Sequence, residues 1–137
     1  MIKKLEKEDL DFVLEILEKD ELRFCDGNYP ERNWVEHFLE EDRCFAFGLF
    51  EQNILVSVIL AERLTFGGCM LWYIATKSGF EGNGCGTRLL NYFEVFVKEN
   101  DINWIFLNAT DNSFEFYKRN GYYTSDYSIV KEHVKDL

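Results

Sequence analysis

Four glycines fall within the eight residues Gly79-Phe80-Glu81-Gly82-Asn83-Gly84-Cys85-Gly86. Before them lies a stretch of strand character, Cys69 to Thr76, and after them Leu89, Leu90, Phe93, Phe96 and Val97 recur at helical spacing. Strand, glycine loop, helix is a demanding order. Glycines placed just before a helix let backbone N–H groups converge on an anion, and the helix end adds about half a positive charge. The segment therefore reads as a phosphate cradle or, in the simpler alternative, as a flexible turn. The common nucleotide fingerprints fail in it. A G-x-x-x-x-G-K-[ST] loop needs Lys where Cys85 stands, and G-x-G-x-x-G from Gly82 needs Gly at Thr87. A dinucleotide fold would also place its glycines after the first strand, whereas here about four strands and two helices precede them. ATP and NAD are disfavoured.

The remaining pattern surrounds this unit with one domain over residues 1–137. A short strand at Ile2 to Leu5 is followed by a helix carrying Leu10, Val13, Leu14 and Leu17 on one face, then by turn chemistry from Cys25 to Pro30. Trp34, Val35, Phe38 and Leu39 mark a second helix ending near Asp42. Cys44–Phe50 and Ile54–Glu62 form a hairpin across Glu51-Gln52-Asn53, and Cys69–Thr76 adds a third strand after a Gly67-Gly68 turn. Beyond the glycine loop and its helix come a strand at Ile102–Leu107, a helix from about Asp111 to Asn120 capped by Gly121, and strands at about Tyr122–Ser125 and Tyr127–Val134. The expected fold is α/β (α+β), with a mixed, mainly antiparallel twisted sheet of about six to seven strands and about four helices.

With 15 Lys and Arg against 25 Asp and Glu, the chain carries a formal charge of −10. The acid is concentrated in residues 1–66, which hold 8 basic and 16 acidic side chains. A nucleic-acid partner needs a basic stripe that no stretch supplies, so cationic amines suit this field better, although a solvated acidic face is the plainer account. No apolar run approaches the ~20 residues of a membrane helix, and a cytoplasmic protein, monomeric or homodimeric, is expected. Cys25, Cys44, Cys69 and Cys85 show no C-x-x-C pair, and only His37 and His133 add soft ligands. No metal is expected from that spacing, and free thiols in a reducing compartment account for the cysteines.

The stretch Ile74 to Leu90, with its loop Glu81-Gly82-Asn83-Gly84-Cys85-Gly86, resembles the [QR]-x-x-G-x-[GA] signature of the GNAT superfamily of acyl-CoA-dependent N-acyltransferases. Phe116-Tyr117-Lys118-Arg119-Asn120-Gly121-Tyr122 is similar to that family's late helix pattern, and the element order matches over essentially the whole chain. The resemblance implies acetyl-CoA as acyl donor, with its pyrophosphate on backbone N–H groups from Gly82 to Thr87 and its pantetheine arm beside Ile74, Ala75 and Thr76, paired like an added strand. Arg88, Lys118 and Arg119 are candidate phosphate partners or ordinary surface residues. Glu81 departs from the family's Gln or Arg, Ser78 stands where proline is frequent, and Thr110 replaces an asparagine for which Asn108 or Asn112 can substitute. Asn112 has the further reading of a helix cap.

By the same resemblance Tyr117 is the general acid for the departing thiolate, a role that a phenol, uncharged at neutral pH, can fill. The base is less determined. Family members carry a glutamate near the start of the strand before the loop, but Cys69, Met70 and Leu71 stand there, leaving Glu62 or a water chain. Cys85 lacks a paired base, so direct transfer in a ternary complex is favoured over a covalent thioester. Acceptor contacts are expected between the first two helices, from Asp26, Tyr29, Glu31 and Trp34, and near Arg63 to Gly68 and Thr124 to Ser128. The expected activity is N-acetylation of a primary amine on a small molecule or protein. The rival is a catalytically silent acyl-CoA-binding module.

Overall fold

The computed structural model describes residues 1–19, 22–23, 27–108, 113–125 and 132–137. Its elements are β1 (Ile2–Lys4), a 3-10 turn (Lys7–Asp9), α1 (Leu10–Ile16), α2 (Arg32–Glu40), β2 (Cys44–Glu51), β3 (Ile54–Arg63), β4 (Gly68–Thr76), α3 (Cys85–Glu99), β5 (Trp104–Leu107), α4 (Phe114–Arg119), β6 (Tyr123–Ser125) and β7 (Glu132–Asp136). The strands form one sheet in the order β1-β2-β3-β4-β5-β7-β6. Every neighbouring pair is antiparallel except β4–β5. Among the described residues the chain thus forms the expected mixed, mainly antiparallel sheet, here of seven strands, with four α-helices.

Alternation along the strands sends apolar side chains to both faces, and each face is covered. On one side Leu10, Val13 and Ile16 of α1 and Val35 and Phe38 of α2 pack on Ala46, Val58 and Leu60. On the other, Leu89, Leu90, Phe93 and Val97 of α3 pack on Phe47, Ile59, Ala61 and Leu71. The hairpin turn is tight. Gln52 and Asn53 both take positive φ, 50° and 67°, as a two-residue turn between Glu51 and Ile54 requires.

Two irregularities in β4 open one side of the sheet. Leu60 pairs with Tyr73 but Ala61 pairs with Leu71, so Trp72 is an extra residue in the ladder. This bulge reverses the faces: Cys69 and Leu71 belong to the α3 side, Tyr73 and Ala75 to the α1–α2 side. In addition, β4 pairs with β5 only over Gly68–Met70. Beyond Met70 the two parallel strands part.

Most boundaries lie within one or two residues of the sequence reading, and the differences at β5 and β7 have a visible cause or extent. The β5 ladder begins at Trp104 because Asp101 takes φ 64° and Ile102 N–H donates to Val97 O at 2.9 Å, closing α3 with a Schellman-type cap built on Asp where glycine is usual. Its counterpart after α4 does use glycine, Gly121 at φ 91°, with Tyr122 N–H donating to Tyr117 O at 3.1 Å. Described β7 runs to Asp136, two residues past the expected end, while 126–131 and 109–112 lie outside the described residues.

The β4–β5 contact also depends on an absent side chain. A Cβ at Gly68 would stand 2.4 Å from Trp104 Nε1, which is buried and has no hydrogen-bond partner among the described residues. Gly68→Ala is expected to cost about 1–3 kcal/mol through overpacking, read as a lowered denaturant midpoint. In a Trp104→Leu background the added cost of the alanine should shrink.

Candidate active site

A cavity of about 580 Å³ opens where β4 leaves β5. One wall is the free edge of β4, Trp72 to Thr76; the floor is the glycine loop and first turn of α3; the opposite wall is Asn108, Ser113, Phe116, Tyr117 and Arg119. The shape follows from the bulge and the short ladder. Backbone groups of β4 that would bond a neighbouring strand face the opening instead, which suits an extended ligand that pairs with an edge.

The loop presents donors. Gly79, Gly82 and Gly84 take φ of 94°, 82° and 77°, and nothing lies within 4 Å of where their Cβ atoms would be, so conformation rather than space demands glycine there. Gly84 is the N-cap of α3 and no side chain caps that end; the first backbone bond is Arg88 N–H to Gly84 O at 3.0 Å. The preceding N–H groups of the first turn have no intrahelical acceptor and an anion can take them. Cys85 is buried against Leu49 and Val56. It anchors the turn.

Of the residues expected at a cofactor, Ile74, Ala75, Thr76, Glu81, Gly82, Gly84, Cys85, Gly86 and Thr87 all line the cavity, as does Tyr117. Asn83 does not: its side chain donates to Phe80 O at 3.2 Å and shapes the turn. Asn112 lies outside the described residues, whereas Asn108 lines the cavity. Arg119 lines it too, but Arg88 is paired with Glu51 at 3.1 Å and Lys118 stands over the Phe114 ring. Nothing in the sequence singles out Lys19, yet it lines the cavity and its Nζ is 3.0 Å from Glu81 Oε1. The carboxylate that departs from the family pattern is thus matched by a cation brought from the end of α1. Only the fold joins positions 62 residues apart, so no local signal reveals the pair.

Tyr117 is 4% exposed, its ring edge-on to Phe116 and Tyr122. Burial pushes its hydroxyl above the ordinary phenol range. Tyr73, a second phenol in the lining, accepts a 2.9 Å hydrogen bond from Trp34 Nε1 and is also raised, chiefly by burial. Trp34 itself stands behind this wall, edge-on to Trp72 with ring centres 5.2 Å apart. Neither Tyr29 nor Glu31 lines the cavity. Tyr29 hydroxyl accepts from Arg23 at 2.7 Å, and Glu31 is the exposed N-cap of α2. Asp26 lies outside the described residues. Glu62 is likewise absent from the lining: it faces α2, 3.6 Å from His37 Nε2 and 4.0 Å from Arg43 Nε.

The model of the acetyltransferase (GNAT) domain matches residues 16–137. The chain belongs to the GNAT acetyltransferase family. Sequence comparison with curated proteins gives no match, but solved GNAT structures superpose over nearly its whole length. An acetyltransferase of the family from Staphylococcus aureus Mu50 is 18% identical, with a TM-score of 0.84 over 100% of this chain and 98% of that one. The PaiA N-acetyltransferase of Thermoplasma acidophilum, solved with coenzyme A, is 20% identical, with a TM-score of 0.78 over 100% and 98%. Aminoglycoside 6'-acetyltransferase type Ii is 21% identical, with a TM-score of 0.77 over 99% and 96%. At these identities the shared property is the fold.

The Lys19–Glu81 pair gives this GNAT loop a measurable signature. Lys19→Ala should weaken calorimetric binding of coenzyme A by about 2–5-fold, the scale of a partly exposed ion pair left with an unmatched carboxylate. Adding Glu81→Gln should recover most of that loss.

Proposed function

We propose that the chain is an acetyl-CoA-dependent N-acetyltransferase that transfers the acetyl group directly to a primary amine of a small molecule or protein. The observation that carries this reading is the position of Tyr117, a buried phenol lining the same cavity as the uncapped N-terminus of α3 and the free edge of β4. When bound, acetyl-CoA supplies the acetyl thioester. Backbone N–H groups from Gly82 to Thr87 would hold its pyrophosphate, with Lys19 and Arg119 lining the same cavity, and the Ile74–Thr76 edge would hold the pantetheine arm. An N–H of that edge would be the donor to the thioester carbonyl oxygen as negative charge develops there.

Tyr117 serves the leaving sulfur. A phenol, with a pKa near 10, is already a weaker acid than a free thiol, near 8.5, and burial widens that gap. Its contribution is therefore greatest as a hydrogen bond while charge is developing on sulfur, inside a wall that keeps water away. The amine must arrive neutral, and an alkylammonium has a pKa near 10. Since Glu62 is turned toward His37 and Arg43, and both lining phenols stay protonated through neutral pH, water is the proton acceptor we favour. The amine approaches from the α2 side, where Trp72 and Tyr73, backed by Trp34, make an aromatic wall. Three buried free thiols, Cys44, Cys69 and Cys85, suit a reducing compartment such as the cytoplasm.

Tyr117→Phe should lower kcat by about 10²–10⁴-fold while leaving the calorimetric affinity for acetyl-CoA nearly unchanged. In the same assays, log kcat/KM of the wild type should climb with pH at a slope of about one from pH 6 to 9, following deprotonation of the amine. A plateau near neutrality would assign the proton to a protein base. Tight acetyl-CoA binding with no turnover across a panel of amines would favour the silent acyl-CoA-binding module instead.

A further inference from the structure

Behind the aromatic wall, on the face of the sheet covered by α2, three side chains of different elements converge. His37 of α2, Cys44 at the start of β2 and Glu62 near the end of β3 bring one imidazole nitrogen, one sulfur and one carboxylate oxygen within 4.8 Å of one another. We propose that these residues form a binding site for a divalent zinc-like cation, with His37, Cys44 and Glu62 as ligands and water in the fourth position. This site is distinct from the acyl-transfer cavity and does not depend on its assignment.

The backbone fixes two of the ligands relative to each other. Cys44 and Glu62 are direct partners in the antiparallel β2–β3 ladder, so their side chains leave the same face of the sheet side by side. The third ligand is held by its neighbours: the His37 ring stacks on Trp34 at 5.7 Å with an 8° interplanar angle and meets the edge of Phe38. Its Nε2 points at Glu62, 3.6 Å away. Nitrogen, thiolate and carboxylate together are a donor set for a borderline-soft ion that accepts tetrahedral geometry, which favours zinc over calcium or magnesium. Ligand atoms around such an ion stand about 3.5 Å apart, so a modest rotation of the two partly exposed side chains closes the set.

Electrostatics favour a cation here. Glu40, Glu41 and Asp42 lie between the end of α2 and Cys44 in the chain; Glu41 is close enough to act on the Cys44 thiol, and Glu40 is paired with Lys7 at 3.0 Å. The cation that reaches Glu62 is Arg43, at the 4.0 Å limit of an ion pair; its guanidinium also donates to Arg63 O at 3.2 Å. Metal binding would exchange that long contact for a direct bond. In the same step the Cys44 S–H bond breaks, sulfur keeps the electron pair and binds the ion, and the proton passes to water. His37 binds as neutral imidazole. No oxidation state changes. Because α2 also carries Trp34, which touches Trp72 and bonds Tyr73, the ion would pin this helix to the sheet directly behind the acceptor wall.

Cobalt(II) replaces zinc in such sites and reports a thiolate ligand through its near-ultraviolet charge-transfer band. Titrating the chelator-treated, full-length protein should give that band at one equivalent. The band should vanish in Cys44→Ser, and His37→Gln should weaken cobalt binding by about ten-fold or more. His37 is partly exposed, so its variant tests the site even if the core position 44 tolerates serine poorly. Zinc should also raise the melting temperature of the wild type and not of His37→Gln. The proposal is overturned if the wild type shows no thiolate band, if the band persists in Cys44→Ser, or if His37→Gln binds cobalt as tightly as the wild type.

Discussion

The structure turns on the brevity of the β4–β5 ladder. Two parallel strands paired over only three residues, Gly68–Met70 against Trp104–Phe106, must separate beyond that point. The bulge at Trp72 then turns the free part of β4 so that Tyr73 and Ala75 face α1 and α2 while the edge backbone faces the gap. A continuous ladder would have paired those N–H and C=O groups with β5. The gap instead runs from the aromatic wall to the N-terminus of α3, and Tyr117 closes it from α4. Donor backbone, anion-attracting helix end and phenol thus share one cavity because one strand pair is short.

Charge is handled locally in this cavity. A protein of formal charge −10 is an unpromising host for a polyanionic ligand, yet the amides of the loop act at contact distance, whereas remote carboxylates are screened beyond about 8 Å at physiological salt. The one carboxylate within the loop, Glu81, is paired with Lys19. Elsewhere, burial raises two thiols: it pushes Cys69 up to about 12 and, with help from Glu62 and Glu41, Cys44 up to about 11. Both of these thiols are therefore held in the protonated form at neutral pH, and Cys85 packs on Leu49 and Val56.

The glycine loop, the helix after it and the succession of elements along the chain are readable from spacing and turn chemistry, because periodicity and glycine placement are local properties, whereas the order of strands in the sheet is not. Gly121 announced the end of α4 in the same way. Asp101 did not announce the end of α3, since a left-handed aspartate carries no glycine signal. What escaped the sequence was whatever tertiary pairing creates: the Lys19–Glu81 contact, Tyr73 and Trp72 in the lining, and the convergence of His37, Cys44 and Glu62. Tyr29 and Glu31 fall in the expected segment but stand off the cavity, and Trp34 does not line it but contacts Tyr73 and Trp72, which do. Asp26 and Asn112 lie outside the described residues. Nothing in residue type alone separates a wall residue from the one behind it.

If the cavity works as a unit, a single acyl-CoA ligand engages both the loop amides and the edge of β4. Amide hydrogen exchange with and without saturating acetyl-CoA reads both contacts at once. Protection should appear in two separated segments, residues 82–87 and residues 72–76, with little change along β1 and β2. Protection confined to one of the two segments, or none in either, would contradict a shared ligand.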